Sequence, residues 1–387
     1  MDITPGAIAP SPRQKWRPEN CDRIALVLQG GGALGAYQAG VYEALHEAGI
    51  EPDWIDGVSI GAINGALIAG NPPERRLERL REFWELVTSR HLPDIFPHAD
   101  EPRRMRNLLQ ACMTLLLGQP GFFTPNVPNP WFSLRGAKTA TAFYDSAPLL
   151  HTLRELVDFD LINNDTVRYA VGTVNVATGN FIYFDNAKQT ILPQHIMASA
   201  ALPPGLPMVR IGSDYYWDGG LVSNTPLSHL MDEAERGNML VFQVDLFSAR
   251  GEVPRDMSDV LARAKEIRYS SRTRLVTDQF RILHNSKMAL RKILNKVPDE
   301  KLSRDERELK EKLKSLPRIS LLHLIYRKAV YEDQALDYEF STVSMKEHWE
   351  RGYQDTKATL AQKDWLVIPS EEVGLVVHDV HQLAEMC

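Results

Sequence analysis

The sequence predicts an α/β fold built on a mostly parallel sheet. Three observations carry that expectation: an unbroken apolar run at Ile24–Leu28, a glycine cluster directly after it, and a second short strand ending in a tight turn before a small-residue helix. A continuous apolar run marks a strand covered on both faces, as in parallel sheets. Strand, glycine turn, helix, strand, turn, helix is the rhythm of a doubly wound sheet.

The elements follow in order. Ile24–Leu28 is the first strand, and Gly30, Gly31 and Gly32 form the turn. A helix is expected from about Gly35 to Ala48, with Gly49 as its C-terminal glycine. The second strand covers Trp54–Val58. The helix after it starts near Ile60 and is rich in glycine and alanine until Pro72 and Pro73. A charged helix, Glu74–Thr88, gives way to the amphipathic segment Met105–Leu117 and then to a Pro/Gly/aromatic stretch to Phe132. Packing of Met105–Leu117 on the core is favoured over a lid or a lipid-facing patch. Further strands are expected at Val167–Val176, Phe181–Asp185 and Met239–Phe247. Beyond about Arg250 the text turns to long charged helices, with a strand at Ile319–Tyr326 and a helix opening at Ser344, where Ser344 and Glu347 have capping-box spacing. The expected organisation is a flexible tail at 1–20, an α/β domain at 21–250 and a mostly helical extension at 251–387.

Composition excludes several function classes. A net charge of −6 gives no global basic field for nucleic acid. The three cysteines, Cys21, Cys112 and Cys387, are widely spaced, which argues against a zinc knuckle or a disulfide framework and for a reducing compartment. No apolar run has the length of a membrane span, and the N-terminus lacks the apolar core of a signal peptide. A cytoplasmic protein is expected, with peripheral membrane contact left open.

Chemistry is carried by three short motifs. Gly57-Val58-Ser59-Ile60-Gly61 fits G-x-S-x-G. A nucleophilic serine at a strained strand-to-helix bend needs small neighbours, and the following helix aims its N-terminal amides at developing negative charge. The run Gly30 to Gly35 also satisfies G-x-G-x-x-G, with Asp53 and Asp56 about where a ribose-binding acid would stand. Against a dinucleotide site, the second strand runs past both acids to the serine turn, so the glycines are assigned to an oxyanion hole. A β–α turn with no ligand is the bland alternative. For the base, His195, His229, His378 and His381 each fit a surface or satisfied-core role better than catalysis. Asp218-Gly219-Gly220 stands out instead, because a carboxylate after Tyr215–Trp217 is expected to hold a raised pKa. A turn aspartate capping its own loop is the competing reading.

Together these stretches resemble the patatin-like phospholipase family: Gln29–Gly35, Gly57–Ala62, Ala198–Pro204, and Asp218-Gly219-Gly220 followed by Asn224 and Pro226. The resemblance spans roughly residues 22–250. It implies a three-layer α/β/α fold, a Ser59–Asp218 dyad, an oxyanion hole from the amides of Gly30, Gly31 and Gly32, motif support from Gly57, Gly61, Gly219 and Gly220, and hydrolysis of lipid acyl esters through an acyl-enzyme without metal or other cofactor. Many family members carry a basic residue where Leu34 stands, which shifts the expectation toward neutral esters. Two other readings stand beside this one: acyl transfer on the same core, which Val58 disfavours because the related acyltransferases place histidine there, and a nucleotide-binding or regulatory module using the Gly30–Gly35 loop.

Overall fold

Nine strands join in one sheet in the computed structural model, which describes residues 16–90, 100–164, 166–233, 237–270, 272–329, 332 and 336–379. The strands are β1 (Arg23–Leu28), β2 (Trp54–Val58), β3 (Thr124–Pro125), β4 (Tyr144–Asp145), β5 (Arg168–Asn175), β6 (Phe181–Asp185), β7 (Val209–Ile211), β8 (Asp214–Asp218), β9 (Met239–Asp245), β10 (Ile319–Ile325) and β11 (Leu375–Asp379). The sheet order is β11-β10-β9-β1-β2-β5-β8-β7, with β6 also paired to β5. From β11 to β5 every pairing is parallel, whereas β5–β6, β5–β8 and β7–β8 are antiparallel. β3 and β4 form a separate hairpin.

The central strands are buried along their whole length, as expected for a sheet covered by helices on both faces. One face packs a large cluster including Leu26, Leu28, Tyr37, Trp84 and Phe242, and the other packs Ala25, Val27, Trp54, Leu230 and Val241. These alternating residues place helical layers on both sides of the sheet.

The segment after residue 250 adds β10 and β11 to this same sheet. Its helix Thr342–Ala361 lies along the helix Ala36–Glu47, where the Tyr37 hydroxyl donates to Asp355 at 2.7 Å. That late helix starts two residues earlier than expected. Its cap is Ser341, whose hydroxyl accepts from the Ser344 N–H, and Glu347 is drawn instead into an ion pair with Arg103. Of the tail expected at 1–20, residues 1–15 lie outside the described residues. Residues 16 and 17 are fixed, with the Trp16 N–H on the Gly49 carbonyl and Arg17 ion-paired to Asp53. Among the described residues no helix is long and apolar enough to cross a membrane.

Candidate active site

Ser59 occupies the bend between β2 and the helix Ile60–Ala69. Its φ and ψ are 56° and −124°, a positive φ that costs a non-glycine residue about 1–3 kcal/mol. The bend persists because its polar groups are held. The Ser59 carbonyl accepts from the N–H groups of Ala62 and Ile63, and its N–H donates to the Ser199 hydroxyl at 2.9 Å. Ser199 in turn donates to the Gly172 carbonyl on β5. The flanking glycines are a steric requirement. A Cβ on Gly61 would lie 2.3 Å from the Leu28 carbonyl oxygen, and one on Gly57 would lie 2.5 Å from the Gly61 carbonyl oxygen.

Asp218 ends β8 opposite Thr173 of β5, and Gly219-Gly220 turn the chain immediately after it. Its backbone N–H donates to the Ala201 carbonyl, and its carboxylate accepts from the Gly220 N–H at 2.7 Å. Burial pushes its pKa up to about 7, against smaller lowering effects from the Gly220 N–H and the Ser59 hydroxyl. Among the described residues no cation contributes to that balance. Tyr215, Tyr216 and Trp217, expected to create this environment, are not in the wall of the site. They lie within β8, and the raised pKa of Asp218 comes from its burial at that strand's end.

The three glycines after β1 do not present three equivalent donors. The Gly30 N–H is engaged by the Asn224 carbonyl at 3.2 Å, while the Asn224 side chain donates to the carbonyls of Gly30 and Tyr269. Among the described residues the amides of Gly31 and Gly32 have no such acceptor, and both glycines border the cavity. Gly32 has φ +56° and sits so close to the Asp337 carbonyl that a Cβ would lie 2.3 Å from that oxygen. Gln29 fixes the approach to the loop. Its amide oxygen accepts from the N–H groups of Leu246 and Phe247, and its amide nitrogen donates to Thr225.

Ser59, Asp218, Gly31 and Gly32 share one cavity of about 760 Å³, counted out to its open mouth. Its wall is mostly aromatic and aliphatic, including Phe122, Phe123, Tyr144, Leu202, Leu206 and Phe247. Among the described residues no lysine, arginine or histidine lines it. The second carboxylate there, Asp337, is ion-paired with Lys265. Leu34 is buried in the core, outside the wall.

Several residues without an assigned sequence role build this site. Ser199 and Asn224 fall within quoted motif stretches, yet their hydrogen bonds become visible only in three dimensions. Tyr269, Tyr338 and Phe340 come from beyond residue 250, and no local pattern marks them as wall residues. The rival candidates are engaged elsewhere. Asp53 accepts from Arg17 and the Ile24 N–H, and Asp56 is paired with His229. His195 accepts the Leu192 N–H and is pushed down to a pKa of about 4 by burial, and His378 stacks on Trp365. His381 lies outside the described residues.

Comparison with known proteins adds the family. The family model described as patatin-like phospholipase matches residues 26–231, and a second, described as patatin phospholipase, matches residues 267–372. Lysophospholipase NTE1 of Yarrowia lipolytica is 25% identical over 242 residues, covering 62% of this chain and 14% of that protein. Lysophospholipase nte1 of Aspergillus terreus is 62% identical over 50 residues, 13% of this chain and 3% of that protein. Patatin-like phospholipase domain-containing protein 6 of Mus musculus is 48% identical over 67 residues, 17% of this chain and 5% of that protein. The chain thus spans a small part of the length of these relatives. Among solved structures, VipD from Legionella pneumophila aligns over 92% of this chain and 72% of its own, at 14% identity and a TM-score of 0.39.

Proposed function

The chain belongs to the patatin-like phospholipase family, and from that premise we propose that it is a serine hydrolase of lipid carboxylic esters, with Ser59 as nucleophile and Asp218 as its base. The single observation that carries the reading is Asp218. It is buried in one cavity with Ser59, interacts with that hydroxyl, and meets no cation. A carboxylate with a pKa near 7 can take a hydroxyl proton at neutral pH and return it, which is what general acid–base work requires.

The steps follow from the geometry. The Ser59 Oγ attacks the ester carbonyl while its proton passes to Asp218. The carbonyl electron pair moves onto oxygen, and that oxyanion is held by the amides of Gly31 and Gly32, each such donor contributing about 10²–10³ in rate. Gly30 serves the loop rather than the oxyanion, since its amide is spent on Asn224. Collapse breaks the bond to the alkoxy oxygen, which leaves as the alcohol with the proton from Asp218, and the acyl group stays on Ser59. Water then gives a proton to Asp218 and attacks the acyl carbon. Ser59 recovers its proton as the acid departs.

The wall indicates the substrate class. An aromatic and aliphatic wall suits an acyl chain, and with no cation lining it among the described residues a phosphate gains nothing by entering. The preferred ester is therefore a one-chain or neutral lipid whose headgroup stays at the mouth, consistent with the lysophospholipases among the relatives. Hydrolysis of p-nitrophenyl esters and of a lysophospholipid should be lost in Ser59→Ala and Asp218→Asn. Full activity in Ser59→Ala contradicts the mechanism, and ester products formed with added alcohols in place of free acid indicate acyl transfer.

A further inference from the structure

The helix Asp100–Leu117 is mounted with its polar side inward. Arg106 is 5% and Gln110 1% exposed, with Asn107 and Thr114 buried beside them. Met105, Leu108, Leu109, Leu115, Leu116 and Leu117 face solvent, Leu116 at 75% exposure. A surface helix in water normally does the reverse. The inward orientation is built in: Gln110 donates to the Arg90 carbonyl, Thr114 donates to Gln119, and Arg103 pairs with Glu347. The apolar side is therefore presented outward by a set of specific hydrogen bonds.

A second apolar surface adjoins it. The tip of the β3–β4 hairpin carries Val127, Trp131, Phe132 and Leu134, with Trp131 84% and Phe132 85% exposed. The tip is held in shape by Asn126 donating to the Ala142 carbonyl, the Phe132 N–H donating to the Asn129 carbonyl, and a Ser133–Thr139 hydroxyl pair. Between Asn126 and Phe143 the only charged side chains are Arg135 and Lys138. Both are exposed, with Lys138 3.5 Å from Asp145 at the hairpin's root. The Tyr144 hydroxyl donates to the Leu115 carbonyl and ties hairpin to helix. Phe123 and Tyr144, which flank the hairpin's base, line the cavity that holds Ser59.

We propose that this face docks on an anionic phospholipid bilayer, with Trp131 and Phe132 entering the headgroup–acyl boundary and Arg135 and Lys138 meeting lipid phosphates. Charge selects this occupant. A second copy of the chain would set the same two cations against themselves, whereas an anionic surface complements them. Aromatic residues favour the boundary zone, and apolar burial combined with cationic attraction is how interfacial segments bind. The surface stands on its own residues. Its service as the path by which an acyl ester reaches Ser59 along Phe123 and Tyr144 rests on the hydrolase reading above.

The test uses the full chain carrying Ser59→Ala, so that binding is read without turnover and failure of the ester chemistry leaves the readout intact. Flotation is measured with vesicles of phosphatidylcholine alone and with phosphatidylglycerol added. Binding is expected to favour the anionic vesicles. Trp131→Ser with Phe132→Ser should weaken it about tenfold or more, and Arg135→Glu with Lys138→Glu should abolish the preference for phosphatidylglycerol. On the Ser59 protein the same tip substitutions should leave hydrolysis of a soluble short-chain p-nitrophenyl ester unchanged. Absence of vesicle binding, or binding indifferent to both pairs of substitutions, overturns the proposal. So does a dimer in light scattering that is lost with Trp131→Ser and Phe132→Ser while vesicles are not bound.

Discussion

Two buried carboxyl sites flank β5, and they are built in opposite ways. On one side Asp56 of β2 is answered by a histidine and an indole, although burial still holds its carboxyl above the ordinary range. The Trp54 indole N–H and the His229 ring, 2.6 and 2.9 Å away, meet its two oxygens. His229 also faces Asp185 at 3.6 Å, and Arg168 bridges Asp185 to Glu233. On the other side Asp218 of β8 has one backbone amide and a serine hydroxyl, and no charge partner. Burial alone raises the proton affinity of both. Where a histidine answers it, the result is a structural ion pair with His229 held above its usual range by Asp56 and Asp185. Where only a hydroxyl answers it, the carboxyl is left near pKa 7 and able to exchange a proton.

The comparison can be broken at either site. The largest effect is expected at the partner of the uncompensated carboxyl: Ser59→Ala should lower ester kcat by about 10⁴-fold or more with unchanged circular dichroism. Asp218→Asn should lower kcat about 10²–10⁴-fold, and wild-type kcat/KM should rise about tenfold per pH unit below 7 and level off above it. Stability should move the other way. Because the folded pKa, about 7, lies above the ordinary value of 3.8, folding disfavours the ionised form. The Asp218 contribution to stability is then fullest below pH 4 and is lost as pH rises through 7. Asp218→Asn escapes that fall and should gain roughly 2 kcal/mol at pH 8 by denaturant titration.

His229→Ala should show the reverse signature: a loss of about 3 kcal/mol, since the buried Asp56 loses its histidine partner, and near-normal kcat per folded molecule. The raised His229 pKa makes its contribution fullest below the unfolded value near 6.5 and lost as pH rises through the folded one. The gap between wild type and variant should therefore narrow in alkaline buffer. A catalytic collapse in folded His229→Ala would blur the distinction between the two sites. The smallest effect belongs to Asn224→Ala, which frees the Gly30 and Tyr269 carbonyls and loosens the glycine loop. A roughly tenfold fall in kcat with KM within about twofold is expected, measured on a soluble ester.

What could be read from the chain alone was what is local. Ile24–Leu28 announces a buried strand by its unbroken apolar run, and the bend at Ser59 is marked by Gly57 and Gly61, although the demand on Gly61 is set by the Leu28 carbonyl of β1. What escaped was set by distant partners. The Gly30 amide is turned by Asn224, which the chain supplies almost two hundred residues later. The segment Met105–Leu117 has an amphipathic pattern whose inward side depends on Arg90 and Gln119, so its reversed mounting has no local signature. Ser344 is the better cap by spelling, since Glu347 stands three residues on, yet Ser341 caps the helix and Glu347 is held by Arg103. Tyr338 and Phe340 reach the cavity only because β10 pairs with β9 and brings that late segment back across the sheet's edge.

In the proposed mechanism a buried carboxyl without a cationic partner activates Ser59. Its most direct test is covalent labelling by a fluorophosphonate, mapped by mass spectrometry and followed with pH in wild type and Asp218→Asn. The account predicts one adduct, on Ser59, whose rate rises with a midpoint near pH 7 and is strongly slowed by Asp218→Asn. An unlabelled Ser59, or labelling that proceeds equally fast without the Asp218 carboxylate, would contradict it.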